Sequence, residues 1–420
     1  MIIYILYIIL SPIIWILLLV STILNKKIRL RFFSYKKLFH HTANQANLTN
    51  KKIILFHAAS NGELEQLKPF FRQINRDKYY ILLTISSPSC INSINKNEVD
   101  SFCYQAFDFP WSTYRFFKKI KPEKYLVTRH DLWPNHIIIA KLLNIKSYLV
   151  NGNLPKSSKR AWPIIKILYQ FLFNRFDKIY TVSNQLRNRF KNFLKNKDNI
   201  KIVGDTRFDQ IKYRKSCTLD YNFISKENKG TKSILFGSIE NKDLPIIFDS
   251  LNELNEKIKM NHINLIFVPH EPEEKILLNL ENQLKELKIE STRYSIIKND
   301  MAKLNNTEAL IVDRTGILAD LYKYSSVSYI GCGFGKGVHN VAEPAIYGNT
   351  ICFGPKFNIL NEAIEMIEQN IAYLITNKDE LSKVINMVFD DKILNQNSKK
   401  IKHYIKSKLN STESIISEIF

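Results

Sequence analysis

Three places in the first half of this chain set side chains that can move protons or hold anions just beyond a short apolar run. The first is HAASNGE at 57–63, where the run ends at His57 and Gly62 precedes Glu63 at a helix-like start. A glycine there lets a ligand come close to the backbone, and a carboxylate at that point can serve as a general base. The same Glu63 could equally do no more than complement the helix dipole. The second is DLWPN at 131–135, in which Pro134 suits a first helical turn and Asp131 is either a second site carboxylate or a cap. The third is GDTRFD at 204–209. Its Arg207 could pair bidentately with phosphate or carboxylate, or could form an ordinary surface pair with an aspartate.

The second half carries a more specific pattern. GCGFGKGVHN at 331–340 follows an apolar run and precedes helix-forming residues that begin at Val341, Ala342 and Glu343. Glycines in such a loop free the backbone to wrap a phosphate near Asn340, and Glu343 could accept from ribose hydroxyls. A purely structural glycine turn is the alternative. The spacing is neither the dinucleotide GxGxxG nor a Walker A motif. PHEP at 269–272 and DRTG at 313–316 close two further runs, which puts Pro269, His270, Thr315, Gly316 and Ile317 where a nucleotide base would be read. Gly237 and Ser238 add a plausible phosphate contact, while His270 by itself could be no more than a satisfied polar residue.

The runs that carry these residues are near-continuous, as buried parallel strands are. They fall at 52–59, 79–86, 125–128, 147–150, 178–183 and 200–204, then at 233–238, 263–269, 309–313, 327–331 and 350–354. Helical stretches between them imply βαβ units, and 420 residues is too long for one ordinary core. The expected architecture is α/β: two Rossmann-like doubly wound domains, 26–209 and 233–420, joined by a polar linker at 210–232. Ligands would bind in a cleft between the carboxyl ends of the two sheets. The last segment, from 395 onward, reads as an amphipathic helix with no evident docking place.

Residues 1–25 hold no charged side chain and are long enough to cross a bilayer of roughly 30 Å. Lys26, Lys27, Arg29, Arg31, Lys36 and Lys37 follow, which places the body on the cytoplasmic side. The interleaved Phe32, Phe33, Tyr35 and Phe39 suit a segment whose rings enter the headgroup layer while the cations meet anionic lipid. A cleavable signal fits poorly, since no basic residue precedes the apolar stretch. A net charge of +22 also suits nucleic acid, but no nucleic-acid motif is present. Five dispersed cysteines read as reduced thiols, neither a disulfide frame nor a metal site.

The ordered set HAASNGE, LTISSPSC, DLWPN, GDTRFD, FGS, FVPHEP, VDRTG, GKGVHNVAEP and FGPKFN resembles the Kdo (3-deoxy-D-manno-octulosonic acid) transferases of lipopolysaccharide synthesis. The resemblance reaches from the first segment to about residue 367. It implies a GT-B fold and an inverting transfer of Kdo from CMP-Kdo to the lipid A precursor lipid IVA at the inner membrane, without cofactor or protein-bound metal. It also implies that Glu63 is the base and that Asp131 and Arg207 support the transition state. Pro269, His270, Thr315 to Ile317 and Asn340 to Glu343 fall on the CMP-binding segments. Asp131 stands where the family more often has Glu, Arg207 where many members have Lys, and His270 where Arg is frequent. An envelope transferase of the same fold that uses a UDP-sugar is the neighbouring expectation.

Overall fold

The computed structural model describes residues 2–129, 131–154, 162–219, 221, 232–299, 307–358 and 360–420. It divides into two units, Met1–Gln210 with Lys408–Phe420, and Ile211–Ser407.

In the first unit β1 (Lys52–Ala58), β2 (Tyr79–Ile85), β3 (Ser101–Tyr104), β4 (Lys124–Thr128), β5 (Lys146–Gly152), β6 (Lys178–Thr181) and β7 (Ile200–Ile202) make one sheet. Its order is β3-β2-β1-β4-β5-β6-β7, with every pairing parallel. The second unit holds β8 (Ser233–Ile239), β9 (Asn264–Pro269), β10 (Ser291–Arg293), β11 (Ala309–Ile311), β12 (Val327–Ile330), β13 (Thr350–Phe353) and β14 (Ala372–Leu374). This sheet is also wholly parallel, in the order β10-β11-β9-β8-β12-β13-β14. All eleven expected runs become strands. The three that were not expected, β3, β10 and β14, are short edge strands, where one exposed side relaxes the demand for a continuous apolar run. Chain order reverses between β1 and β4, and again between β8 and β12, so each sheet has its switch point where ligands of doubly wound folds bind.

Helix α1 (Ile2–Leu24) is continuous through Pro12, and α2 (Lys26–Leu48) follows directly. The aromatics of α2 do not all turn outward as expected. Phe39 is buried, Tyr35 stacks on it at 5.7 Å, and Phe32 packs on Trp15 and Phe107, which leaves Phe33 exposed. Thr42 donates to the Phe102 carbonyl at 2.8 Å, so α2 is a layer of the first domain as well as a basic segment. Helix α3 (Asn61–Gln73) starts at an N-cap, Ser60.

The chain end differs from expectation. Residues beyond 407 fold with the first unit, whereas the sequence reading assigned 233–420 to the second. Asp209, the last residue of GDTRFD, accepts from the Asn410 N–H at 2.7 Å and from the Thr412 N–H and hydroxyl at 2.8 and 2.7 Å. Glu418 then pairs with Lys178 and Lys201, and Ile415 and Ile419 enter the core. The expected linker begins as helix, Arg207–Ser216, and its residues 220 and 222–231 lie outside the described residues.

Candidate active site

At the switch point of the first sheet, β1 runs into α3 and delivers Glu63 into the first turn. The Ser60 hydroxyl accepts from the Glu63 N–H at 3.4 Å, and Glu63 Oε2 accepts from the Ala59 N–H at 2.6 Å. That is a reciprocal capping pair, so the structural role open to Glu63 is present. It leaves Oε1 for other work. The carboxyl is buried, and burial pushes it above the ordinary carboxylate range. Asp131 adds to that rise, while the Ala59 N–H, His57 and Arg129 act against it.

Asp131 lies beyond the end of β4, next to the same switch point. Its Oδ2 is 2.8 Å from His57 Nε2 and accepts from the Trp133 indole at 3.0 Å. His57 Nδ1 meets the Thr84 hydroxyl at 3.1 Å, and that hydroxyl donates to the Phe56 carbonyl at 3.0 Å. Asp131 therefore belongs to a side-chain network across β1, β2 and β4. Capping of the helix Pro134–Leu142 falls instead to Asp108. Its carboxylate accepts from the N–H groups of Asn135 and His136 at 3.3 and 3.2 Å and from His136 Nδ1 at 2.8 Å. Sequence reading missed Asp108 because its partners lie 27 and 28 residues away.

Arg207 opens the helix Arg207–Ser216 and faces Asp205 at 3.8 Å, the aspartate pair weighed as its alternative. Asp205 also accepts from Gln66 Nε2 at 2.9 Å, and Thr206 donates to the Gln66 carbonyl at 2.6 Å. The motif is thus tied to α3 one turn past Glu63.

In the second unit the glycine-rich loop is partly bonded within itself. The N–H groups of Gly335 and Gly337 are taken by the Cys332 carbonyl at 3.0 and 2.8 Å, and that of Val338 by Lys356. Gly331 and Gly333 serve close packing. An added Cβ would stand 2.4 Å from the Ser238 carbonyl oxygen at one and 2.6 Å from the Gly354 backbone at the other. The helix beyond is a single turn, Ala342–Ala345, and Asn340 Oδ1 already accepts from the Ala342 and Glu343 N–H groups at 3.0 and 3.3 Å. The loop therefore spends several of its N–H groups on its own carbonyls and on the Asn340 side chain. Glu343 is half-buried and pairs with Arg214 at 3.0 Å. Val341, Ala342 and Ile317 are buried, Thr315 is exposed, Gly316 takes a φ of 92°, and Pro269 ends β9.

Two features of this unit were not foreseen. The His270 and His339 rings stack at 4.8 Å with an interplanar angle of 9°. Their nitrogens and the Cys332 sulfur lie within 4.8 Å of one another, a ligand-type trio. The Cys332 thiol, however, donates to the Ser238 carbonyl at 3.1 Å and is pushed up to about 12, first by burial and then by Glu240. Beside the trio opens a cavity of about 450 Å³ whose wall includes Glu240, Lys242, His270, Lys275 and Lys336. Asp243 ties the Glu240 turn to Cys332: its buried carboxylate accepts from the Glu240 and Cys332 N–H groups at 2.8 and 2.9 Å and from the Tyr329 hydroxyl at 2.9 Å.

Two Rossmann-like units, each built on a wholly parallel seven-stranded sheet, define the GT-B class. A putative UDP-N-acetylglucosamine 2-epimerase from Listeria monocytogenes shares this fold, with a TM-score of 0.58 at 13% identity over 88% of this chain and 98% of that one. Residues 26–210 match the family described as 3-Deoxy-D-manno-octulosonic-acid transferase (kdotransferase). A 3-deoxy-D-manno-octulosonic acid transferase of Aquifex aeolicus is 26% identical over 79% of this chain and 84% of its own length. A bifunctional glycosyltransferase/methyltransferase of Fusobacterium nucleatum subsp. nucleatum is 25% identical over 83% of this chain, which spans 54% of that protein. The resemblance carried by the ordered motifs is borne out as similarity: the chain is similar to Kdo transferases over most of its length.

Proposed function

We propose that this chain is an inverting glycosyltransferase that moves Kdo from CMP-Kdo to the lipid A precursor lipid IVA. Its first helix attaches it to the inner membrane, and its catalytic body lies on the cytoplasmic side. The observation that carries the reading is Glu63. One carboxylate oxygen is held by the Ala59 N–H, and burial has raised its proton affinity. Such a group is suited to take a proton from a sugar hydroxyl at near-neutral pH.

As Glu63 accepts that proton, the hydroxyl oxygen forms its bond to C2 of Kdo. The C2–O bond to phosphate breaks, the electron pair leaves with CMP, and the configuration at C2 inverts. Asp131, held by His57 and Trp133, supplies negative charge near a developing oxocarbenium ion, and Arg207 supplies an anion contact. In the second unit Lys242, Lys275 and Lys336 around the cavity would offset the leaving phosphate. His270, Asn340 and Glu343, with the backbone from Thr315 to Ile317, would hold the cytidine.

The test is direct. The detergent-solubilised protein is incubated with lipid IVA and either CMP-Kdo or UDP-sugars, and the products are weighed by mass spectrometry. Mass increments of whole Kdo residues are expected from CMP-Kdo alone. Transfer only from a UDP-sugar would replace this reading by the neighbouring one.

A further inference from the structure

Helix α1 has the length of a membrane span, yet its first half is already occupied. The Tyr4 hydroxyl donates to Asn135 Oδ1 at 2.8 Å, and the Tyr7 hydroxyl to Asp108 Oδ2 at 2.9 Å. Ser11 is fully buried, and Trp15 packs edge-on against Phe109 at 5.2 Å. Tyr4, Tyr7, Ser11 and Trp15 recur at helical spacing, so one narrow stripe of α1 lies along the first unit. The arrangement inverts an ordinary surface helix. The covered stripe carries the hydroxyls and the indole, while the uncovered faces are aliphatic, with Ile9, Ile13, Ile16, Leu17 and Ile23 each more than half exposed.

Length decides what this means. Residues 4–15 lie against the body, so only residues 16–24 are clear of it, about 14 Å of helix at 1.5 Å per residue. A bilayer core is roughly 30 Å thick and needs about twenty residues. We propose that α1 does not cross the bilayer but lies along it, keyed to the first unit by its polar stripe, with its aliphatic faces in the cytoplasmic leaflet.

The surroundings fit one lipid surface. Half-exposed Trp111 stacks on Phe109 at 5.2 Å beside Trp15, and Ile167 is exposed on the helix whose Phe171 meets Tyr4. Lys26, Arg29, Lys36 and Lys37 of α2 are exposed directly after the aliphatic helix, matched in charge to anionic headgroups. The contacts also have a catalytic consequence. Asp108 caps the helix that follows Asp131 and Asn135 lies in its first turn, so seating α1 in lipid steadies the loop that carries a site carboxylate.

The proposal refines the membrane attachment suggested above and is tested separately from it. An epitope tag is fused ahead of Met1, and protease is added either to inverted inner-membrane vesicles or to intact spheroplasts. An in-plane helix leaves the tag on the cytoplasmic side, digested in the inverted vesicles and spared in spheroplasts. The paired variant Tyr4→Cys with Asn135→Cys should be joined in membranes by a short bismaleimide that spans the length of the lost tyrosine ring. Digestion of the tag only in spheroplasts, or a pair that never cross-links in folded protein, would overturn the in-plane helix while leaving attachment intact. Full release of the protein by carbonate would overturn both.

Discussion

Glu63 caps the start of its helix and is proposed as the general base, and a pair of substitutions separates the two. Its Oε2 caps the Ala59 N–H at 2.6 Å, so Glu63→Ala leaves a half-buried donor unmet. Loss of a cap of this kind costs about 1 kcal/mol. For a domain of this size that lowers the melting temperature by about 2–4 °C. Glu63→Gln keeps a carbonyl oxygen for the same N–H, so it should melt close to the parent. Both variants lack the base, and each should lose turnover by roughly 10²–10⁴-fold, about 3–5 kcal/mol of barrier. The assay is transfer from CMP-Kdo to lipid IVA at saturating donor, with melting followed by scanning fluorimetry. If Glu63 is only a cap, Glu63→Gln will work within a few-fold of the parent and Glu63→Ala will lose rate in step with stability. That pattern would falsify the general-base role.

The remaining expectations concern charge and the chain end. Burial raises the Glu63 carboxyl and Asp131 adds to the rise, so the rate should fall, as pH drops, above the ordinary glutamate range. Asp131→Asn should move that acid limb lower, and an unmoved limb in the pH profile would exclude Glu63 as the titrating group. Glu343→Ala removes an acceptor held by Arg214, and calorimetry with CMP should show affinity weakened roughly ten- to more than a hundred-fold. Unchanged CMP binding would place the ribose elsewhere. Burial alone would raise the Glu418 carboxyl, but Lys178 and Lys201 outweigh it and hold it at about 2, against an ordinary 4.5. A depressed carboxyl stabilises the fold above its unfolded value and ceases to do so as pH falls towards 2. Glu418→Gln should therefore melt below the parent at pH 7, and the gap should shrink as pH falls below about 4.5 and close only towards about 2; a gap independent of pH would mean that the pair does not hold the last helix.

The central strands were legible because both faces of each are covered, so burial wrote an apolar run into every one of them. Edge strands carry no such demand, and β10, Ser-Thr-Arg, is all half-buried. The docking of the last helix was not legible either. It rests on Asp209 reaching residues 201 and 203 positions away, and a lone aspartate in a motif gives no sign of that distance.

At the sites, what could be read was position and what could not was who satisfies whom. Glu63 and Asp131 were placed correctly at strand ends, since a strand-to-helix transition is a local event. Their partners are not local: His57 and Thr84 come from two other strands, and the cap expected of Asp131 is supplied by Asp108. The glycine-rich loop shows the same limit more sharply. Glycine permits close approach of any backbone, and here the approaching backbone is the protein's own at Ser238 and Gly354. A donor phosphate bound in this unit, as proposed, would draw on side chains as well as on the loop N–H groups that the protein's own carbonyls do not take. Of the lysines round the cavity, Lys336 falls inside the glycine-rich motif, whereas Lys242 and Lys275 lie in no motif the sequence offered.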